Sequence, residues 1–151
     1  MSRRKGRIIA FQALYSWDVS KSSLDDLLTF SWLQKDSEIQ SGTENTDISD
    51  SAKEERTFAS LIISGTISHI DEIDKRIESH LSSAWSMDRI SRVALAILRT
   101  SVYEIVFQNG AEPRIIIDEA VNIAKDYDSD DSYKFINAVL DKIGKDEEKK
   151  S

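Results

Sequence analysis

The sequence predicts an all-α protein. Apolar residues recur every three or four positions through most of the chain, the periodicity of one helix face. A single proline and five glycines in 151 residues are too few for a turn-rich β protein. No segment alternates with the period of two that a half-buried strand requires.

The first helix is expected over residues 4–19, with Ile8, Phe11, Leu14 and Tyr15 as its apolar face. A second follows over residues 23–35, capped by Ser22 or Ser23, with Leu24, Leu27, Leu28 and Trp32 inward. Residues 36–50 have no apolar period and read as a long surface loop. Ser51 and Glu54 have capping-box spacing, so the third helix is expected to begin there. Its stripe of Phe58, Leu61, Ile62, Gly65, His69, Ile73 and Ile77 runs for about eight turns, with Gly65 placed for close approach of another helix. The serines of residues 82–86 end the pattern. Ser86 is then the expected cap of a fourth helix over residues 87–108, with Trp85 and Ile90 at staple positions. Its inward residues are Ile90, Val93, Ala94, Ile97, Leu98, Ser101, Val102 and Ile105, and a bend is expected near Thr100. Asn109-Gly110 is a left-handed stop, and Pro113 suits the first position of a fifth helix. That helix should bury Ile116, Ala120, Ile123, Ala124 and Tyr127. Asp128 or Ser129 should cap a sixth, which buries Phe135, Ile136, Val139, Leu140 and Ile143 and ends at Gly144, leaving residues 145–151 frayed.

The length suits one domain over residues 1–151, or two small half-domains sharing a core. With no cysteine there are no disulfides and no thiol chemistry, and no apolar run approaches a membrane span of roughly 18 residues. The basic start leads into Phe11, Gln12 and Tyr15, not into an apolar signal core, so a cytoplasmic protein is expected.

Catalytic patterns are weak, and no enzyme activity, metal or cofactor is expected. His69 and His80 stand three helical turns apart, too far to share one metal, and read as structural. Asp128, Asp130 and Asp131 resemble the start of a calcium loop. Counted from Asp128, however, the sixth position is Tyr133 and the twelfth is Val139, where a glycine and a glutamate are needed. Ser64-Gly65 lacks a nucleophile-elbow frame.

Arg3, Arg4, Lys5 and Arg7 are different. The net charge is -7, which argues against general coating of nucleic acid. Yet four cations crowd the start of the first helix, where the macrodipole disfavours them, and residues 8–17 supply no acid. The cluster is expected to lie outside the core and to meet an external polyanion, with Tyr15 available to stack on a base. Four neutralised phosphates would give a slope of log K against log salt of about -3 for a single strand.

Four motifs in order resemble the bacterial antitermination factor NusB family. They are R-R-K-x-R followed by A-F-Q-A-L-Y-S-W; Ala96-Ile97-Leu98-Arg99 with Tyr103-Glu104; Pro113 with Ile117-Asp118-Glu119-Ala120-Val121 and Ala124-Lys125; and Asp131-Ser132 with Lys134-Phe135-Ile136-Asn137 and Val139-Leu140-Asp141. Departures from the family pattern fall at Ile8, Ala94, Asp118, Tyr127-Asp128 and Ala138. The resemblance implies two packed three-helix subdomains, six or seven helices in all, dividing at about residues 1–82 and 83–144. It implies binding of single-stranded boxA-like RNA from ribosomal RNA operons, together with a NusE-type small-subunit ribosomal protein, within the RNA polymerase antitermination complex. The RNA-binding residues are then expected to be Arg3, Arg4, Lys5, Arg7, Tyr15, Arg99 and Lys134, and the protein-binding residues Asp131, Tyr133 and Asn137. A homodimer stays open as a further state. The competing reading is a helical interaction module without RNA function.

Overall fold

The computed structural model describes residues 1–33, 48–83, 85–129 and 131–150, and these are helical with no strand among them. Most of the predicted 36–50 loop, and Asp130, lie outside the described residues. The helices are α1 (Arg3–Val19), α2 (Leu24–Thr29), α3 (Asp50–Ser68), α4 (Ile70–Ser79), α5 (Arg92–Tyr103), α6 (Pro113–Tyr127) and α7 (Ser132–Lys149).

The organising element is α5. Every residue from Ala94 to Val102 is buried, which a helix achieves only when enclosed on all sides. It packs against α1, α3, α4, α6 and α7; α1 also lies along α3, and α6 along α7. Leu98 and Ile97 of α5, Leu14 of α1, Ile62 of α3, Ile116 of α6 and Ile136 of α7 belong to one continuous core.

Several caps follow the sequence. Ser23 Oγ accepts from the Asp26 amide at 3.1 Å, Pro113 opens α6, and Asn109 adopts the left-handed conformation at φ 54°. Gly65 is a true contact point, since a Cβ built there would land inside the Tyr103 ring.

Other expectations are corrected. The predicted second helix is broken at Phe30, which turns left-handed at φ 56°: α2 stops at Thr29, residues 31–33 are helical again, and the Trp32 indole donates back to the Leu27 carbonyl at 3.1 Å. Ser49, not Ser51, caps α3, accepting from the Ala52 amide. The long third helix breaks at His69, whose exposed ring stacks on Phe107 with centroids 4.0 Å apart. Ser86 makes no cap bond. It precedes a single 3-10 turn, Met87–Arg89, and Ser91 caps α5 while donating to Asp128 at 2.7 Å. The bend falls beyond Thr100, where residues Glu104–Gln108 form a π-turn closed by the Asn109 amide on the Glu104 carbonyl. α7 runs past Gly144 to Lys149, its end held by Arg76–Glu147 at 2.6 Å and His80–Asp146 at 2.7 Å. Asp131, without a side-chain cap bond, stands at its start in place of Asp128 or Ser129.

Candidate nucleic-acid interface

The first turn of α1 is built to be cationic. Ser2 caps it, accepting from the Lys5 amide at 3.2 Å, and the turn contains no acid. Arg3, Arg4 and Lys5 are exposed. Arg3 and Lys5 form no side-chain ion pair among the described residues.

Arg7 departs from the expectation. It is only 8% exposed and points into the core. Its Nε and Nη2 donate to the Glu104 carboxylate at 2.9–3.1 Å, and its guanidinium lies 5.5 Å from the centre of the Phe58 ring. The cause is Gly6. Without a side chain there, α3 approaches closely, and the buried stripe of α1 becomes Gly6, Arg7, Ala10, Phe11, Ala13 and Leu14. Tyr15, assigned to the apolar face, lies outside this stripe and is 37% exposed. Burial raises the Glu104 carboxyl above its usual range, against the pull of the Arg7 bonds. Arg7 is therefore a structural cation, and the expectation that it lies outside the core is wrong.

Arg4 is held from α6. Its Nε and Nη2 donate to the two Glu119 oxygens at 2.8 and 3.0 Å. Those bonds hold Glu119 below the ordinary carboxylate range. The acids missing from residues 8–17 thus arrive from residues 104 and 119.

Along the same two helices lies an open groove of about 410 Å³, lined by Phe11, Gln12, Tyr15, Ser16, Trp32, Leu33, Val93 and Tyr127. Tyr127, expected in the core, is 45% exposed and meets the Phe11 ring edge-on at 5.3 Å. Tyr15 and Tyr127 thus offer aromatic surface beyond the cationic turn.

Arg99 lies elsewhere. It is buried, donates to both Asp74 oxygens at 2.9 Å, and sits 5.7 Å from the Trp17 ring centre. Trp17 is about 18 Å along α1 from Lys5 at roughly 1.5 Å per residue, so Arg99 is not part of the cationic turn. Lys134 is exposed and 3.5 Å from Asp131. Lys134 and Lys125 flank the Tyr133 ring at 6.0 and 4.8 Å. Asn137 lines a separate polar groove with Asp118, Arg114 and Asp141. The sequence reading missed Tyr127 and Lys125 as exposed candidates, the half-buried Trp32 as a groove wall, and Glu104 and Glu119 as the acids that claim two of the four cations.

A profile of the NusB family matches residues 4–145, nearly the whole chain. The chain belongs to the NusB family. It is 49% identical over 143 residues to the transcription antitermination protein NusB of Treponema denticola, covering 95% of this chain and 96% of that one. The solved NusB of T. maritima matches with a TM-score of 0.73 at 30% identity, over 96% of this chain and 92% of that one. A NusB chain crystallised with NusE and double-stranded RNA matches with a TM-score of 0.72 at 29% identity, over 95% and 96% of the two chains. The NusB relatives match the antitermination assignment and the helical fold inferred from the motifs.

Proposed function

We propose that this protein binds single-stranded boxA-like RNA of ribosomal RNA operons together with a NusE-type ribosomal protein, in the cytoplasm, as part of the RNA polymerase antitermination complex. The observation that carries the reading is an exposed, acid-free cationic turn that leads along α1 and α6 into an open aromatic groove. Cations supply phosphate affinity and position, and aromatic rings supply stacking platforms for unpaired bases. The NusB neighbour crystallised with NusE and double-stranded RNA supports a NusE-type partner and RNA as the polyanion; the choice of a single strand rests on the aromatic groove. In this reading Arg3, Lys5 and the outward part of Arg4 meet phosphates, Tyr15 and Tyr127 stack bases, and Lys134 adds charge at the margin. Asp131, Tyr133 and Asn137 face the ribosomal protein.

With two or three phosphates contacted instead of four, log K should fall with log salt at a slope of about -1.4 to -2. Titration of labelled single-stranded boxA-like RNA and its duplex, with the NusE-type protein present, tests this. Arg3→Ala with Lys5→Ala should weaken binding and make the slope shallower by about 1.4, with the fold unchanged. Tyr15→Ala should cost about 1–3 kcal/mol on the single strand and little on the duplex. Curves identical to wild type for all these variants would leave the interaction-module reading.

A further inference from the structure

Resting on the RNA-binding reading, we propose that Glu119 is a built-in competitor of RNA for Arg4, holding down the affinity of the cationic turn. An arginine presents its donors as a planar fork that fits a carboxylate or a phosphate in the same two-bond manner. Glu119 already fills such an edge of Arg4, taking Nε and Nη2 at 2.8 and 3.0 Å. A phosphate seeking the same edge must displace it.

The two partners differ in freedom. The Glu119 side chain is 21% exposed on α6, whereas that of Arg4 is 51% exposed in the first turn of α1. Arg4 is the one that can swing. The phosphate is drawn to this position by Arg3 and Lys5 in the same turn, while Arg7 is committed to Glu104 in the core. Asp126 adds a second negative charge acting on Arg4. The Arg4 bonds keep Glu119 ionised to below its ordinary range, so the competition persists across neutral pH. The contact thus tunes the RNA site, trading affinity for easy release.

The test is a double-mutant cycle read by RNA binding at two salt concentrations, with labelled single-stranded boxA-like RNA and the NusE-type protein present. Glu119→Gln should bind RNA about two- to fivefold tighter at low salt, in line with the strength of exposed ion pairs. Its salt slope should steepen by up to about 0.7, as the partial phosphate contact of Arg4 becomes a full one. Glu119→Ala should repeat the gain, guarding against a residual bond from the glutamine. In an Arg4→Ala background neither substitution should add affinity. Unchanged or weaker binding by both Glu119 variants would overturn the proposal, the latter making Glu119 a residue that orients Arg4. An equal gain with and without Arg4 would also overturn it, since the effect would then be general repulsion. Failure of the RNA-binding reading appears separately, as wild-type binding that is absent or insensitive to Arg3→Ala with Lys5→Ala.

Discussion

Replacing Arg7 by alanine should unfold much of what holds α1 to α5. Arg7 and Glu104 are 8% and 4% exposed, and three donor–acceptor contacts of 2.9–3.1 Å join them. Removing one partner of a buried pair leaves the other charge without compensation, at a cost of about 3–5 kcal/mol. Against a total stability of about 5–15 kcal/mol this is severe, and it corresponds to a melting-temperature loss of roughly 6–20 °C for a chain of this size. The loss has a pH signature. Burial already raises the Glu104 carboxyl, and the bonds and charge of Arg7 oppose that rise. Without Arg7 the folded-state value climbs further. A carboxyl raised on folding contributes its stability fully below its unfolded value, near 4.3, and loses it as pH rises through the folded value. The deficit of Arg7→Ala should therefore be largest at about pH 7 and shrink towards about pH 4.5. Urea unfolding followed by far-UV circular dichroism at the two pH values measures it. Combining Arg7→Met with Glu104→Leu should recover most of the stability, since an apolar pair of similar volume tolerates burial. A loss below about 1 kcal/mol at neutral pH, or an equal loss at both pH values, would refute the buried-pair account.

Leu98→Ala, at a fully buried position of α5, should cost about 2–5 kcal/mol in chemical denaturation, whereas Phe135→Ala should cost less because Phe135 is only half-buried beneath Trp85. A larger loss for Phe135 would reverse that ranking. Gly65→Ala should destabilise by roughly 1–3 kcal/mol, because the added methyl meets the Tyr103 ring. An unchanged thermal midpoint would mean that α3 and α5 can part without penalty.

Local chemistry was legible in the sequence wherever neighbours decide it. Ser23, Asn109 and Pro113 behave as their side chains and backbone preferences dictate. Gly65 was readable too, because a glycine on an otherwise apolar stripe has few other uses. What long-range packing decides was not legible. As a charge Arg7 groups with Arg3, Arg4 and Lys5, although its helical position places it on the same face as Gly6, Ala10 and Leu14. The glycine at position 6 was the available clue. At the split, His69 stacks on Phe107, almost forty residues later, a contact that no local signal specifies. Periodicity places Tyr127 in the core, but at the last turn of α6 it is 45% exposed.

The two acids that pair with Arg4 and Arg7 also set an order of events during synthesis. Glu104 is 97 residues downstream of Arg7, and Glu119 is 115 residues downstream of Arg4. At a translation rate of about 5–20 residues per second, the first helix waits roughly 5–20 s for its counter-charges. Throughout that interval the growing chain displays four unneutralised cations beside the ribosome, itself rich in RNA. The helix that will carry the cationic turn cannot take its final seat until α5, the central element of the core, has emerged. A helical protein usually folds fast from local contacts, but the decisive contacts here span most of the chain, and assembly should be correspondingly slow and late.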